Sequence, residues 1–130
     1  MIKVDLAVLG AGPGGYVAAI RAAQLGMKVA IVEQEKVGGV CLHKGCIPSK
    51  TLLRSAELYQ NMKRSEEFGI HLESLELSMP LLQKRKKNVI SNLHKGIHHL
   101  LKKHQIEVYS GRGRILGPSI FSPLPGTISV

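Results

Sequence analysis

The run of residues that ends at Leu9 stops at a cluster of glycines, "GAGPGG", and an Ala-rich stretch begins directly after it. An apolar run, a glycine turn and a helix-forming stretch in that order admit few folds. Residues 3–9 read as a parallel strand buried on both faces. Residues 14–25 read as a helix, with Gly26 where a helix stop belongs. "MKVAIVE", residues 27–33, reads as a second strand. Together they form a βαβ unit of about 30 residues with a right-handed crossover. The class implied is α/β, a parallel sheet flanked by helices.

Within the turn, Gly10, Gly12 and Gly15 carry the spacing G-x-G-x-x-G. Alone the pattern is a weak signal; between a strand and a helix it is the arrangement that binds a dinucleotide. Gly10 permits the tight turn, Gly12 lets a pyrophosphate approach the backbone, and Gly15 lets helix and strand pack closely. The helix N-terminus offers free N–H groups and partial positive charge to phosphate. Glu33 ends the second strand, 18 residues after Gly15. A carboxylate there accepts hydrogen bonds from both hydroxyls of an adenosine ribose and repels a 2′-phosphate, so FAD or NAD fits better than NADP. The competing reading is a glycine turn that binds nothing; the acid at Glu33 weighs against it.

The 130 residues suffice for one domain with a modest core. Trp is absent, so aliphatic side chains must build that core. "SKTLLRSAELYQNMKRSEEFG" is a second helix ending near Gly69, "IHLESLELS" is a connector with room for a short strand, and Pro80 suits the first turn of a further helix. That helix, residues 81–104, holds seven Lys or Arg and no acid, against a formal charge of +9 for the chain. Its Leu82, Val89, Ile90, Leu93, Ile97, Leu100 and Leu101 recur at three- and four-residue spacing, which gives one packed face and a basic face in water. The charge also admits a nucleic-acid surface or a dock for an acidic partner. A solvated face is the simpler reading, and no nucleic-acid partner is expected. The histidines, most of them on this helix, read as surface residues. "IEVYSGRGRIL" gives a strand entering a glycine-containing turn, and the two apolar runs around "PLPG" signal a hairpin, the beginning of a β-meander.

No apolar run nears the roughly 20 residues that span a bilayer. The N-terminus lacks the basic start, long apolar stretch and cleavage site of a signal peptide. A reducing, cytoplasmic setting is expected, where a close cysteine pair is more often catalytic or metal-binding than structural.

Cys41 and Cys46, the only cysteines, stand five positions apart in "GGVCLHKGCIPSK". On a regular α-helix five residues rise about 7.5 Å, which sets the Cα atoms roughly 8–9 Å apart; a disulfide needs about 7 Å or less. A bridge therefore requires a departure from regular helix. Gly45 permits it and Pro48 suits a helix start, so the pair should sit on a distorted first turn with regular helix from near Pro48. A strained, accessible bridge is readily reduced, and a thiolate at a helix N-terminus has a lowered pKa. Both properties suit a working dithiol. A zinc site that uses His43 stays open, although the spacing matches no common zinc pattern and a fourth ligand is missing. So does a pair of inert buried thiols. No metal is expected.

The stretch "GGVCLHKGCIPSKTLL" closely resembles the redox-active segment of the FAD-dependent pyridine nucleotide–disulfide oxidoreductases. Within them it is most similar to the dihydrolipoyl dehydrogenases; the related flavin reductases for mercuric ion carry a similar segment. The resemblance runs from "GAGPGG" through "SGRGRI". It implies a Rossmann-like FAD-binding fold. It implies an FAD site lined by Gly10, Gly12, Pro13, Gly14, Gly15, Glu33, Gly39, Val40, Cys41 and Lys50, with Gly113 at the adenine end. Cys46 is then the flavin-side thiol, Cys41 the thiol that forms a mixed disulfide with substrate, and Lys50 a cation near the flavin ring. For the whole enzyme it implies oxidation of dihydrolipoyl groups, carried by the lipoyl domain or lipoyl carrier protein of a 2-oxo acid dehydrogenase or glycine cleavage complex. NAD would be the acceptor and a homodimer the working form. Family chains run to several hundred residues. Residues 1–130 are therefore expected to be the N-terminal segment of the FAD-binding domain, an incomplete domain. The NAD-binding domain and the C-terminal interface domain, with its His-Glu acid–base pair, are expected to be absent. The rival reading is a short non-catalytic binding module on the same fold; Cys41, Cys46 and Lys50 together argue against it.

Overall fold

The computed structural model describes residues 2–116 and 127–130. The chain runs β1 (Leu6–Leu9), α1 (Pro13–Gln24), β2 (Val29–Glu33), α2 (Gly39–His43), α3 (Cys46–Lys63), α4 (Met79–Lys103), β3 (Glu107–Ser110), β4 (Arg114–Leu116) and β5 (Thr127–Ser129), with a 3₁₀ turn at Ser65–Phe68. The strands β1, β2 and β3 form a parallel sheet in that order, with Leu9 opposite Val32 and Glu33 opposite Ser110. The central strand β2 is the apolar run "VAIVE" and is buried along four of its five residues. Around Ile31 the core gathers Ala19 and Ala22 from α1, Val37 and Leu42 from the segment after β2, and Ile97 and Leu101 from α4. Alanine on α1 lets that helix lie close to the sheet. The helix ends as its sequence implies: Gly26 sits at φ +88°, and the N–H groups of Gly26 and Met27 bond back to the carbonyls of Ala23 and Ala22.

Four expectations change. β1 is not buried on both faces: Leu6 and Val8 are half-buried while Ala7 and Leu9 are exposed. It lies at the edge of the described sheet, and only β2 has a strand on each side. The connector "IHLESLELS" forms no strand; it has no neighbouring strand to supply ladder hydrogen bonds. The helix α3 begins at Cys46, two residues before Pro48, because proline is tolerated anywhere in a first turn, where its missing N–H has no partner to lose. On α4 the apolar residues do not share one packed face. Ile97 and Leu101 are buried and Ile90 packs against them, while Leu93 and Leu100 are exposed. β4 and β5 pair antiparallel, and the "PLPG" turn of the expected hairpin lies outside the described residues. None of the described helices is long and apolar enough to cross a membrane.

Candidate dinucleotide and dithiol site

Three parallel strands end at one edge of the sheet, the edge at which open α/β folds bind ligands. The chain leaves β1 at Gly10, whose φ of +91° favours glycine. The N–H of Gly10 donates to Val32 O (2.8 Å) and that of Gly111 to Glu33 O (2.9 Å), which ties the three strand ends together. A Cβ on Gly15 would stand 1.9 Å from the carbonyl oxygen of Gly10, so this position admits no side chain where α1 crosses the strand end. Beside Gly12 and Gly14 the space is open, with nothing within 4 Å of a built Cβ. Gly39, at φ +62°, would place a Cβ 2.9 Å from the Cα of Gly12, and the Gly38 N–H donates to Ala11 O at 2.7 Å. The start of α2 thus lies backbone to backbone against the glycine turn and the start of α1.

The Glu33 carboxylate holds this corner. Its Oε2 accepts from the Ala11 N–H at 2.6 Å and its Oε1 from the Glu35 N–H at 2.8 Å. A cavity of about 260 Å³ lies between the strand ends, lined by Leu9, Gly10, Val32, Glu33, Gln34 and the turn Gly111, Arg112 and Gly113. A Cβ on Gly113 would meet Leu9 Cδ2 at 2.5 Å and Val32 Cγ1 at 3.0 Å, so glycine lets this turn close over the strand ends. A second cleft of about 650 Å³ is lined by Glu33, Gly39 and Val40 with Glu35, Lys36, His43 and Lys44. Glu33 faces both. The open backbone at Gly12 and Gly14, the carboxylate with unused lone pairs and the adjoining clefts fit the adenosine and pyrophosphate end shared by FAD and NAD.

The dithiol is built on two helices. The helix α2 ends at His43, the backbone breaks at Lys44 (φ −133°, ψ −4°) and Gly45 (φ −127°, ψ −106°), and Cys46 starts α3. A Cβ on Gly45 would press to 3.1 Å on the Val40 carbonyl oxygen. The expected distortion is a complete break that folds Cys41 back onto Cys46. Both are free thiols, Cys41 half-buried and Cys46 exposed. A hydrogen bond with Cys46, and next to it burial, push the Cys41 thiol up, while the charge of Lys50 pulls it down. The expected lowering does not hold for Cys41 in this reduced pair, because a hydrogen-bonded neighbour favours the protonated thiol.

Several lining residues were not singled out from the sequence: Leu9, Val32, Gln34, Gly111 and Arg112 in the first cavity, and Glu35, Lys36 and Lys44 in the second. The "SGRGRI" segment carried the only signal for Gly111 and Arg112, and the others had only their place beside Gly10, Glu33 or the cysteine segment. Nor is every histidine a surface residue. His94 is half-buried and its Nδ1 lies 3.0 Å from Val37 O; His43 Nε2 lies 2.8 Å from the same oxygen. The spacing held the signal, since His94 falls between Ile90 and Ile97 on the packed face of α4. Among the described residues, no group of three or more His, Cys, Asp or Glu is placed to hold a metal ion.

The family profile for pyridine nucleotide-disulphide oxidoreductases matches residues 4–119. A dihydrolipoyl dehydrogenase of Bacillus subtilis is 61% identical over 128 residues, 98% of this chain and 27% of that protein. One of Zymomonas mobilis is 50% identical over 113 residues, 87% of this chain and 24% of that protein. The crystal structure of LpdA from Mycobacterium tuberculosis aligns with a TM-score of 0.76 at 28% identity, over 85% of this chain and 24% of that one. The chain spans about a quarter of the length of these relatives. The match takes in the glycine turn, both cysteines and the third parallel strand together, and the chain belongs to the pyridine nucleotide-disulphide oxidoreductase family.

Proposed function

We propose that this chain is the FAD-binding and redox-dithiol part of a dihydrolipoyl dehydrogenase. In this reading the Cys41–Cys46 pair takes electrons from the dihydrolipoyl groups of a 2-oxo acid dehydrogenase or glycine cleavage complex, NAD is the final acceptor, and the enzyme is a cytoplasmic homodimer. The observation that supports it most is the placement of Cys41 on the helix whose first residue, Gly39, lies against Gly12, with the chain broken at Lys44 and Gly45 so that Cys46 becomes its neighbour. A carboxylate has about four lone-pair sites, so Glu33 keeps two for ribose hydroxyls beyond its bonds to Ala11 and Glu35. The open backbone at Gly12, Pro13 and Gly14, at the start of α1, would receive the pyrophosphate. Gly113 would admit the adenine end, and Val40 and Lys50 would flank the ring. FAD, when bound, supplies a two-electron acceptor for the reduced pair.

The chain's own chemistry is thiol–disulfide exchange. A substrate thiolate attacks Cys41 Sγ of the oxidised pair, forming a mixed disulfide and releasing Cys46 as a thiolate. The second substrate thiolate then attacks the substrate sulfur in that mixed disulfide, closes the cyclic disulfide and frees Cys41. Two electrons pass from substrate to the cysteines, and the two substrate protons go to base and solvent. Lys50 lowers the cost of the Cys41 thiolate through its charge.

The test is the complete gene product, assayed for bound flavin and for NADH formation from dihydrolipoamide. Cys41→Ser and Cys46→Ser are each expected to abolish turnover with flavin still bound. Glu33→Gln is expected to weaken FAD by about 1.5–3 kcal/mol through the loss of charge-assisted hydrogen bonds, read by flavin fluorescence titration. Turnover with mercuric ion in place of dihydrolipoamide would overturn the substrate assignment, and unchanged FAD affinity would remove Glu33 from the site.

A further inference from the structure

The helix α2 is five residues long, too short to hold itself together when isolated helices under about 12 residues are marginal. Its place is set by what pins it. Leu42 is buried in the core. The other pin is a shared acceptor. His43 Nε2 lies 2.8 Å and His94 Nδ1 3.0 Å from the carbonyl oxygen of Val37. A carbonyl oxygen only accepts, so both nitrogens carry protons and donate, and together they fill its two lone pairs. Val37 is itself buried in the loop between β2 and α2. One carbonyl thus joins that loop, the short helix through His43 and the long helix α4 through His94. The His94 ring stands edge-on to His43 at 5.1 Å and to His98 at 4.4 Å between centroids, so neighbours hold it on two sides.

Residues two apart on a helix point about 200° apart. With His43 turned to Val37, Cys41 is turned to the opposite side of α2, the side on which the break at Lys44 and Gly45 sets Cys46 at the start of α3. We propose that His43 and His94 are positioning residues for the dithiol, their shared Val37 carbonyl holding the Cys41 helix where the two sulfurs can join and part. The proposal rests on the reading of Cys41 and Cys46 as the redox pair. The histidines reach no reacting atom; they act by keeping the thiols together, and pre-set proximity favours bond formation between them. Without the pins the pair shifts toward the dithiol.

The experiment equilibrates the full-length protein with mixtures of oxidised and reduced dithiothreitol. As the Sγ–Sγ bond forms, the two cysteines give two electrons and two protons to the oxidised reagent, and the disulfide fraction is counted by alkylation and mass spectrometry. Thermal stability is followed in parallel. His94→Phe, which keeps a ring without a donor, and His43→Leu are expected to shift the equilibrium toward the dithiol by about threefold to tenfold, tenfold being about 30 mV for this couple. His94→Asn sets an amide N–H where Nδ1 stood, and His43→Gln sets one where Nε2 stood; both are expected to restore the parent constant. If His94→Phe does not fold, His94→Gln, which moves the donor along the side chain, takes its place under the same criterion. A folded donorless variant with the parent constant would overturn the proposal. So would a shift toward the disulfide, or His94→Asn and His43→Gln variants that shift as far as His94→Phe and His43→Leu. A parent protein that forms no Cys41–Cys46 bridge at any ratio defeats the redox reading itself, and the proposal with it.

Discussion

At Cys41 two neighbours act in opposite directions. The hydrogen bond with Cys46 raises the pKa of its thiol, and the Lys50 cation lowers it. A folded pKa above the unfolded one means that the fold favours the protonated thiol. That contribution to stability is whole below the ordinary thiol value and is lost as pH rises through the folded one. In the reduced protein, alkylation of Cys41 should therefore need a higher pH than a free thiol does. Lys50→Gln is expected to move that pH up further and Cys46→Ala to move it down, read from the pH dependence of iodoacetamide labelling localised by mass spectrometry. No change in either variant would show that these neighbours do not set the Cys41 proton. Lys50 was legible in the sequence through the resemblance of "CIPSK" to the family's redox segment. The hydrogen bond was not, because it depends on how sharply the chain turns at Gly45.

At the scale of elements, the contact between α1 and the end of β1 is the least forgiving. Gly15→Ala puts a methyl group 1.9 Å from the backbone oxygen of Gly10, and neither partner is a flexible side chain. Overpacking typically costs about 1–3 kcal/mol; the upper end is expected here, as a lower denaturant midpoint with loss of FAD. A variant as stable as the parent would refute the close packing. On α4, partial burial and the nearby His94 lower the pKa of His98. A histidine that the fold keeps neutral contributes stability that is whole above about pH 6.5 and is lost as pH falls from there toward the lowered native value. The melting temperature is expected to drop as pH goes from 7 to 5, and His98→Asn should flatten part of that drop; an identical profile in the variant would exclude His98 as a cause.

For the whole molecule, surface is the informative quantity. The chain exposes 9680 Å², whereas a compact monomer of this mass exposes about 6700 Å². Large apolar side chains share in that exposure: Val17 on α1, Val40 beside the second cleft, Leu53 on α3, and Leu93 and Leu100 on α4 are all exposed. In the proposed full-length enzyme these faces have the rest of the protein to cover them. Expressed alone, the 130 residues are expected to self-associate at micromolar concentration. They should also turn over dihydrolipoamide far more slowly than the complete enzyme, since a positioned general base is worth about 10²–10⁴ in rate. Light scattering and an NADH assay check both. A monodisperse, fully active 130-residue protein would refute the idea that these faces and the acid–base group belong to other segments.

By itself the sequence determined the βαβ unit, the glycine turn, the carboxylate at the end of the second strand and the cysteine pair next to a helix start. Each is written in residues that lie close together along the chain, where the periods of strand and helix and the backbone freedom of glycine leave little choice. Tertiary structure alone decided the rest. It set β1 at an edge with one face bare, because burial depends on which strands and helices come to lie beside it. It brought Gly111 to Gly113 across to Leu9 and Val32, which required β3 to return beside β2 over a long crossover. It turned His94, whose spacing marks only a place on the packed face of α4, into a donor to the Val37 carbonyl. A hydrogen bond between residues 57 positions apart leaves no period or spacing in the sequence; it exists only once the helix has packed.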